Sequence, residues 1–326
     1  MSSTPRRTRI AALLGADHGY QLLWVLLLSR VVLVIFHGLA AWMGVVTGRG
    51  LIGLVRQRYG VAIGGAVLAA LVVANIGTTC AEFANVAAGF ELFGISRYIS
   101  VPAAAVIVSL LGTTLAPWGL SFMQSYAVDK KLRIEDLKLE RIDVITGAVL
   151  TGVIGFFVVV ACAATLHRDG LHITDAADAA RALEPLAGKA AGTLFAIGLI
   201  GAAFLAASIL PLSTAYSVCE YAGVEAAIDD PYREARIFYM TYGIVTLIGA
   251  TIVLAPDAPL VTILVGTQVL NAVLLVPLLL AMVGLGRDRD LMGGFASGRG
   301  ATFVYALTTL VVVVCVITLG VTTLFG

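Results

Sequence analysis

Eight runs of apolar residues, each long enough to cross a bilayer, dominate this chain. They fall near residues 20–46, 61–94, 97–127, 142–166, 187–218, 234–255, 258–286 and 301–325. About 20 apolar residues span the hydrocarbon as an α-helix. Lipid offers no partner to a free backbone group, so only helices and closed barrels survive there. The chain therefore reads as an all-α integral membrane protein. Its charged fraction, 13%, is about half the ~25% of a soluble domain. A formal net charge of +1 gives no basis for a nucleic-acid partner. The four cysteines (Cys80, Cys162, Cys219, Cys315) lie in apolar runs without close pairing, and read as small buried residues. Residues 10–15 are too short an apolar stretch to complete a signal peptide after Arg6, Arg7 and Arg9.

Basic residues alternate between the gaps. Arg49, Arg56 and Arg58 follow the first run. Lys130, Lys131, Arg133, Lys138 and Arg141 follow the third, Arg233 and Arg236 the fifth, and Arg287, Arg289 and Arg299 the seventh. Lys and Arg gather on the cytoplasmic side, so the odd gaps face inward and the even gaps outward. That places the start of the first run outside, at odds with the inside-type cluster at Arg6, Arg7 and Arg9. One more span between Arg9 and Gly19 would remove the conflict. The expected layout is a single polytopic domain over 1–326 in a bacterial inner membrane. It has a tail at 1–19, a first part at 20–128 and a second at 129–326. Residues 51–59 read as a short amphipathic interfacial helix, and residues 173–187 as an external one. Asp229 and Asp230 are expected to cap a helix starting at Pro231. Gly147, Gly152, Gly155, Gly188, Gly192, Gly198 and Gly201 are expected to mediate helix packing.

A few residues stand out against this apolar background. Residues 112–119 (GTTLAPWG) place a proline mid-run. Pro117 removes a backbone donor and clashes one turn back. Two readings stay open: an unwound segment lining a wet cavity, as in secondary transporters, or a packed proline kink. Glu82 is the sole acid in the middle of its run, and an intramembrane charge needs a partner. Arg30 is the candidate, with His37 seven residues on and on nearly the same face. The trio is either an ion pathway or a static ion pair. Gln268 and Asn271 share a helix face, either as site residues or as interhelical hydrogen bonds. Gln124 and Ser125 are expected along an inner exit path, with Tyr126 as an interfacial anchor. His167 and His172, beside Asp169 and Asp175, read as part of a solvated loop. No hydrolase motif is present, so no enzymatic activity is expected.

Four stretches together resemble the Nramp family of divalent metal-ion transporters. They are residues 19–24 with 43–51, residues 81–83 with 91–94, residues 112–118 with Gln124, Asp129 and Lys130, and residues 266–271 leading to 290–293. The resemblance implies a LeuT-type inverted-repeat bundle with its ion held between two unwound helices. It also implies inward transport of a divalent cation, commonly with protons, and no cofactor beyond that cargo. The family's first-helix Asp-Pro-Gly-Asn motif has no counterpart here, and the fourth helix is joined directly to the sixth. The bundle is thus expected to be incomplete, lacking the first helix and the fourth/fifth region. In the sixth helix the family's coordinating Met falls on Ala116, the carbonyl donor on Thr113 and a His on Trp118. A third-helix acid falls on Thr79. The metal set implied is Thr113, Ala116 and Gln268, with Glu82, Arg30, His37, Asn271 and Gln124 as pathway or coupling residues. Loss of a soft thioether favours Mg or Mn over Fe. A monomer is expected, and without first-helix ligands weak metal binding. An organic-substrate carrier of the same fold and a non-transporting regulatory relative are the alternatives.

Overall fold

The structure, a computed structural model, describes residues 20, 23–111, 119–164, 188–224, 228–255 and 260–325. Within them the chain is helical: α1 (Leu23–Thr47), α2 (Leu51–Tyr59), α3 (Val61–Glu91), α4 (Arg97–Leu111), α5 (Gly119–Asp129), α6 (Leu137–Cys162), α7 (Ala191–Ala222), α8 (Arg236–Leu254), α9 (Leu260–Arg287), the short α10 (Arg289–Met292) and α11 (Arg299–Phe325). The eight apolar runs correspond to α1, α3, α4 with α5, α6, α7, α8, α9 and α11. Among the described residues, five helices are long and apolar enough to cross a membrane by themselves. Residues 112–118, with Thr113, Ala116 and Pro117, lie outside the described residues. So do residues 165–187, with His167, His172 and the expected external helix.

α3 is the central helix. It packs against α7, α8, α9, α2 and α4, and nearly every residue from Ala74 to Gly89 is buried. A helix buried on all sides needs neighbours that approach closely, and small residues allow it. A Cβ on Gly77 would overlap the Thr267 methyl of α9. One on Gly249 of α8 would meet Thr79 at 2.8 Å, and one on Gly89 would meet Ile200 of α7 at 2.5 Å. α1 similarly lies on α5, where a Cβ on Gly44 would meet the Gln124 carbonyl at 2.7 Å. These are not the glycines expected from sequence. At Gly147, Gly192, Gly198 and Gly201 a Cβ would have no atom within 4 Å, because they lie on faces turned away from the described neighbours.

α2 forms as expected and buries Leu51, Ile52, Leu54 and Val55. The capping expectation at Asp229 and Asp230 is corrected. Residues 231–234 form a turn, and α8 starts at Arg236 with Ala235 in the cap position and no side-chain cap. Instead, the Tyr239 hydroxyl donates to the Ile228 and Asp230 carbonyls at 2.9 and 3.0 Å, so the segment is held by its backbone.

The gaps assigned to the cytoplasm share one face. Gln124 on α5 donates to the Arg49 carbonyl after α1 at 2.8 Å. Tyr216 of α7 donates to Asp129 at the end of α5 at 3.0 Å. Arg58 of α2 pairs with Asp288 after α9 at 2.8 Å. The ends of the first, third, fifth and seventh spans therefore meet, as charge alternation requires.

Candidate metal pathway

A polar column runs through the apolar bundle. On α3, Asn75, Thr78, Glu82 and Asn85 recur at three- and four-residue spacing and so lie along one face. All four are buried, Glu82 at 4% exposure. Asn85 Nδ2 donates to Glu82 Oε2 at 3.0 Å. Thr78 and Thr79 return their hydroxyls to the carbonyls of Ala74 and Asn75 at 2.7 and 2.8 Å. Asn75 Nδ2 crosses to Thr214 Oγ1 of α7 at 2.9 Å.

From there the column descends between α7 and α5. Ser217 Oγ and Ser121 Oγ are 3.0 Å apart. Three residues further along α7, Glu220 accepts from the Ser125 hydroxyl and from the Ile52 backbone N–H, the latter at 3.2 Å. Thr214, Ser217 and Glu220 follow one another at three-residue steps along α7, and Ser121 and Ser125 of α5 face the last two. The column ends at a cytoplasmic cavity of about 700 Å³. Ser125, Glu220, Asp129 and Asp230 line it on the acidic and hydroxylic side, and Arg49 and Arg56 on the other. Burial holds the Asp129 carboxyl above its ordinary range, against the opposing influence of the Tyr216 hydrogen bond and of Lys130 nearby.

Two amide oxygens along this column, Asn75 Oδ1 and Asn85 Oδ1, are buried and have no hydrogen-bond partner among the described residues. A buried acceptor without a donor is costly, and oxygens of this kind suit hard divalent cations. No cluster of three or more His, Cys, Asp or Glu side chains occurs among the described residues.

The expected site residues divide as follows. Thr113 and Ala116 fall outside the described residues. Gln268 is on α9 beside Thr267, whose contact with Gly77 sets this turn of α9 against α3. Asn271, one turn on, has a buried Nδ2 without a described partner. Gln124 is buried, and its amide ties α5 to the loop before α2. His37 is buried and bonds the Leu33 carbonyl of its own helix at 3.0 Å. Arg30 donates to Thr151 of α6 at 3.3 Å, with its stem along Gly152. α1, which carries Arg30 and His37, packs chiefly on α5 and α6 and also touches α9, which packs on α3, the helix of Glu82. Tyr126 is half-buried and stacks on Phe122 at 6.0 Å.

Glu220 escaped the sequence reading. The signal was present: it is an acid at the inner end of a span, on the side where the gaps are basic. Gly50 completes that contact, since a Cβ there would collide with the Glu220 carboxylate.

The model of the family described as natural resistance-associated macrophage protein-like matches residues 8–111 and 100–322. The chain belongs to the Nramp family. It is similar to the divalent metal cation transporter MntH of Burkholderia ambifaria, at 23% identity over 92% of this chain and 81% of that protein. It is also similar to MntH of Ralstonia nicotianae, at 26% identity over 87% and 80%. In structure it resembles the Eremococcus coleocola manganese transporter solved with an aromatic bis-isothiourea compound. The TM-score is 0.71 at 14% identity, covering 96% of this chain and 82% of that one. This Nramp-family chain is thus a multi-pass membrane protein with the LeuT-type helical fold, and not an enzyme.

Proposed function

We propose that this chain carries divalent cations across the membrane by alternating access, with manganese and magnesium as cargo in preference to iron. The observation that carries the reading is the polar column from Asn85 and Glu82 to Glu220 and the cytoplasmic cavity. Lipid-embedded bundles do not bury a line of amides, hydroxyls and two carboxylates without use, because each must be satisfied away from water. The relatives named above are divalent metal cation and manganese transporters. Thr113, Ala116 and Gln268 are proposed to hold the ion. Ala116, in place of a thioether, removes the soft donor that favours later transition metals, leaving oxygen donors and room for retained water.

The match to the Burkholderia protein runs over 368 positions, more than the 326 residues of this chain. The relative therefore carries residues within the matched region that this chain lacks. The family model matches in two pieces that meet at residues 100–111, which supports reading a gap at the fourth/fifth region.

The test is uptake into proteoliposomes loaded with a metal-sensitive dye, with Mn²⁺ and Mg²⁺ outside and Fe²⁺ as competitor. Saturable uptake of Mn²⁺ or Mg²⁺, weakly inhibited by Fe²⁺, is expected. Absence of uptake from protein shown to be folded would remove the transport reading and leave the regulatory relative in its place.

A further inference from the structure

A second cavity lies away from the polar column, at the lipid-facing edge on the cytoplasmic side. It has a volume of about 480 Å³. Its floor is α1 at Val34 and Gly38, and its walls are α6 at Val144 and Ile145 and α11 at Val304. Ile145 and Val304 are exposed, so the groove opens sideways at membrane depth. At its cytoplasmic end stand Arg141, Trp42 and Ser297. The Trp42 indole is fixed by a bond from Nε1 to the Phe295 carbonyl at 3.2 Å and by an edge-on contact with the Phe295 ring at 5.9 Å.

A neighbouring cavity of about 500 Å³ shares Ala296, Ser297 and Gly298 and adds Arg287, Arg289 and Arg299. Arg141, Arg287, Arg289 and Arg299 are all exposed, and none of them forms an ion pair among the described residues. The nearest carboxylate in sequence, Asp288, is already taken by Arg58. Asp290, Asp143 and Glu140 remain on this face and do not balance four guanidiniums.

We propose that this groove binds an anionic phospholipid of the cytoplasmic leaflet, one acyl chain lying between α6 and α11 and the phosphate meeting Arg141 and the Arg287–Arg289–Arg299 cluster. The groove supplies an apolar slot of acyl-chain character ending at headgroup level. A tryptophan marks that level, as interfacial indoles do. Unpaired arginines stand where the leaflet carries its negative lipids, and basic pockets between spans recognise such headgroups. Guanidinium binds phosphate in a planar, bidentate manner that ammonium does not match. This inference does not depend on the transport reading.

Delipidated full-length protein, titrated with phosphatidylglycerol and phosphatidylcholine and followed by native mass spectrometry, tests it. Wild type should retain phosphatidylglycerol preferentially. Arg141→Ala should weaken that binding about fivefold, the effect of one basic residue near a membrane surface, and leave phosphatidylcholine unchanged. Gly38→Leu should weaken both lipids by filling the slot. A Cβ at Gly38 meets no atom within 4 Å, so this variant is expected to fold, and exposed Arg141 provides an independent arm. Equal retention of the two lipids by wild type, a preference unchanged in Arg141→Ala, or binding of both lipids unchanged in Gly38→Leu overturns the proposal. A lipid-independent dimer abolished by Gly38→Leu would assign the groove to a second copy and overturn it as well.

Discussion

At the scale of single residues, two buried carboxylates differ in what they hold. Glu82 accepts from the Asn85 amide of its own helix, a bond that an isosteric glutamine can keep. Glu220 is met by the backbone of α2 and a hydroxyl of α5, so it joins three elements. Replacing each should therefore have different consequences. Glu82→Gln should lower the initial rate of metal uptake on the order of tenfold, as loss of a supporting polar group does at metal sites. Thermal unfolding in detergent should barely move. A variant that melts early and transports in proportion to the folded fraction would show Glu82 to be structural only. Glu220→Ala should do the reverse first. It strands the Ile52 N–H and leaves the Ser125 hydroxyl only the Ser121 carbonyl, a cost of about 1–3 kcal/mol, visible as a lowered melting temperature. Glu220→Gln, which keeps an acceptor, should recover much of it. If the alanine variant melts like wild type, the three-element tie is not structural. These residues also show what the sequence left hidden. Glu82 was legible because an acid in mid-run stands out against its apolar neighbours and needs a partner. Glu220 was not, because an acid near a span end looks solvated until α2 is seen folded over it.

At the scale of elements, the apolar runs gave away the helices because period and length are local properties. The third run became α4 and α5, and the amphipathic stretch became α2. Contacts were less legible. Of the glycines expected to pack, Gly147, Gly192, Gly198 and Gly201 face open space and Gly152 meets the Arg30 stem, whereas Gly77 and Gly249 are enclosed between spans. Enclosure depends on which helix lies opposite, and no local pattern encodes that. Gly77→Val should force α3 from α9 and cost about 1–3 kcal/mol by overpacking, together with loss of uptake. Gly198→Ala, in open space within α7, should be neutral or slightly stabilising through helix propensity. Melting curves of the pair decide it, since equal effects would mean that backbone freedom matters and close approach does not. The end of α5 adds a pH dependence. Asp129 is pushed upward by burial, so the folded state binds its proton more readily than the unfolded chain does. Its contribution to stability is fully present below the ordinary carboxylate value of about 3.9 and is lost as pH rises through the folded value. Asp129→Asn should flatten the melting temperature across that window, and an unchanged slope would assign the pH response elsewhere.

At the scale of the whole molecule, the inside–outside assignment and the fold answer to independent physics. One rests on where positive charge gathers beside a membrane, the other on which helix ends touch. They agree on the face formed by Arg49, Asp129, Glu220 and Asp288. The cytoplasmic cavity, the end of the polar column and the arginine-rimmed groove all belong to that face, so its placement decides the direction of the exit path and the leaflet that supplies the lipid. Single cysteines at opposite faces can check it. Lys131→Cys, in the gap after α5, should react with a membrane-impermeant maleimide only in inverted vesicles or after permeabilisation. Ser96→Cys, in the gap between α3 and α4, should react from outside in intact cells. The native cysteines Cys80 and Cys219 are buried, and parallel labelling of the parent protein supplies the background. The reverse pattern would invert the whole assembly, because all four inner gaps are fixed to one another by the bonds from Gln124, Tyr216 and Arg58. The polar column would then open to the outside, and the phospholipid groove would sit in the leaflet with the fewest anionic lipids.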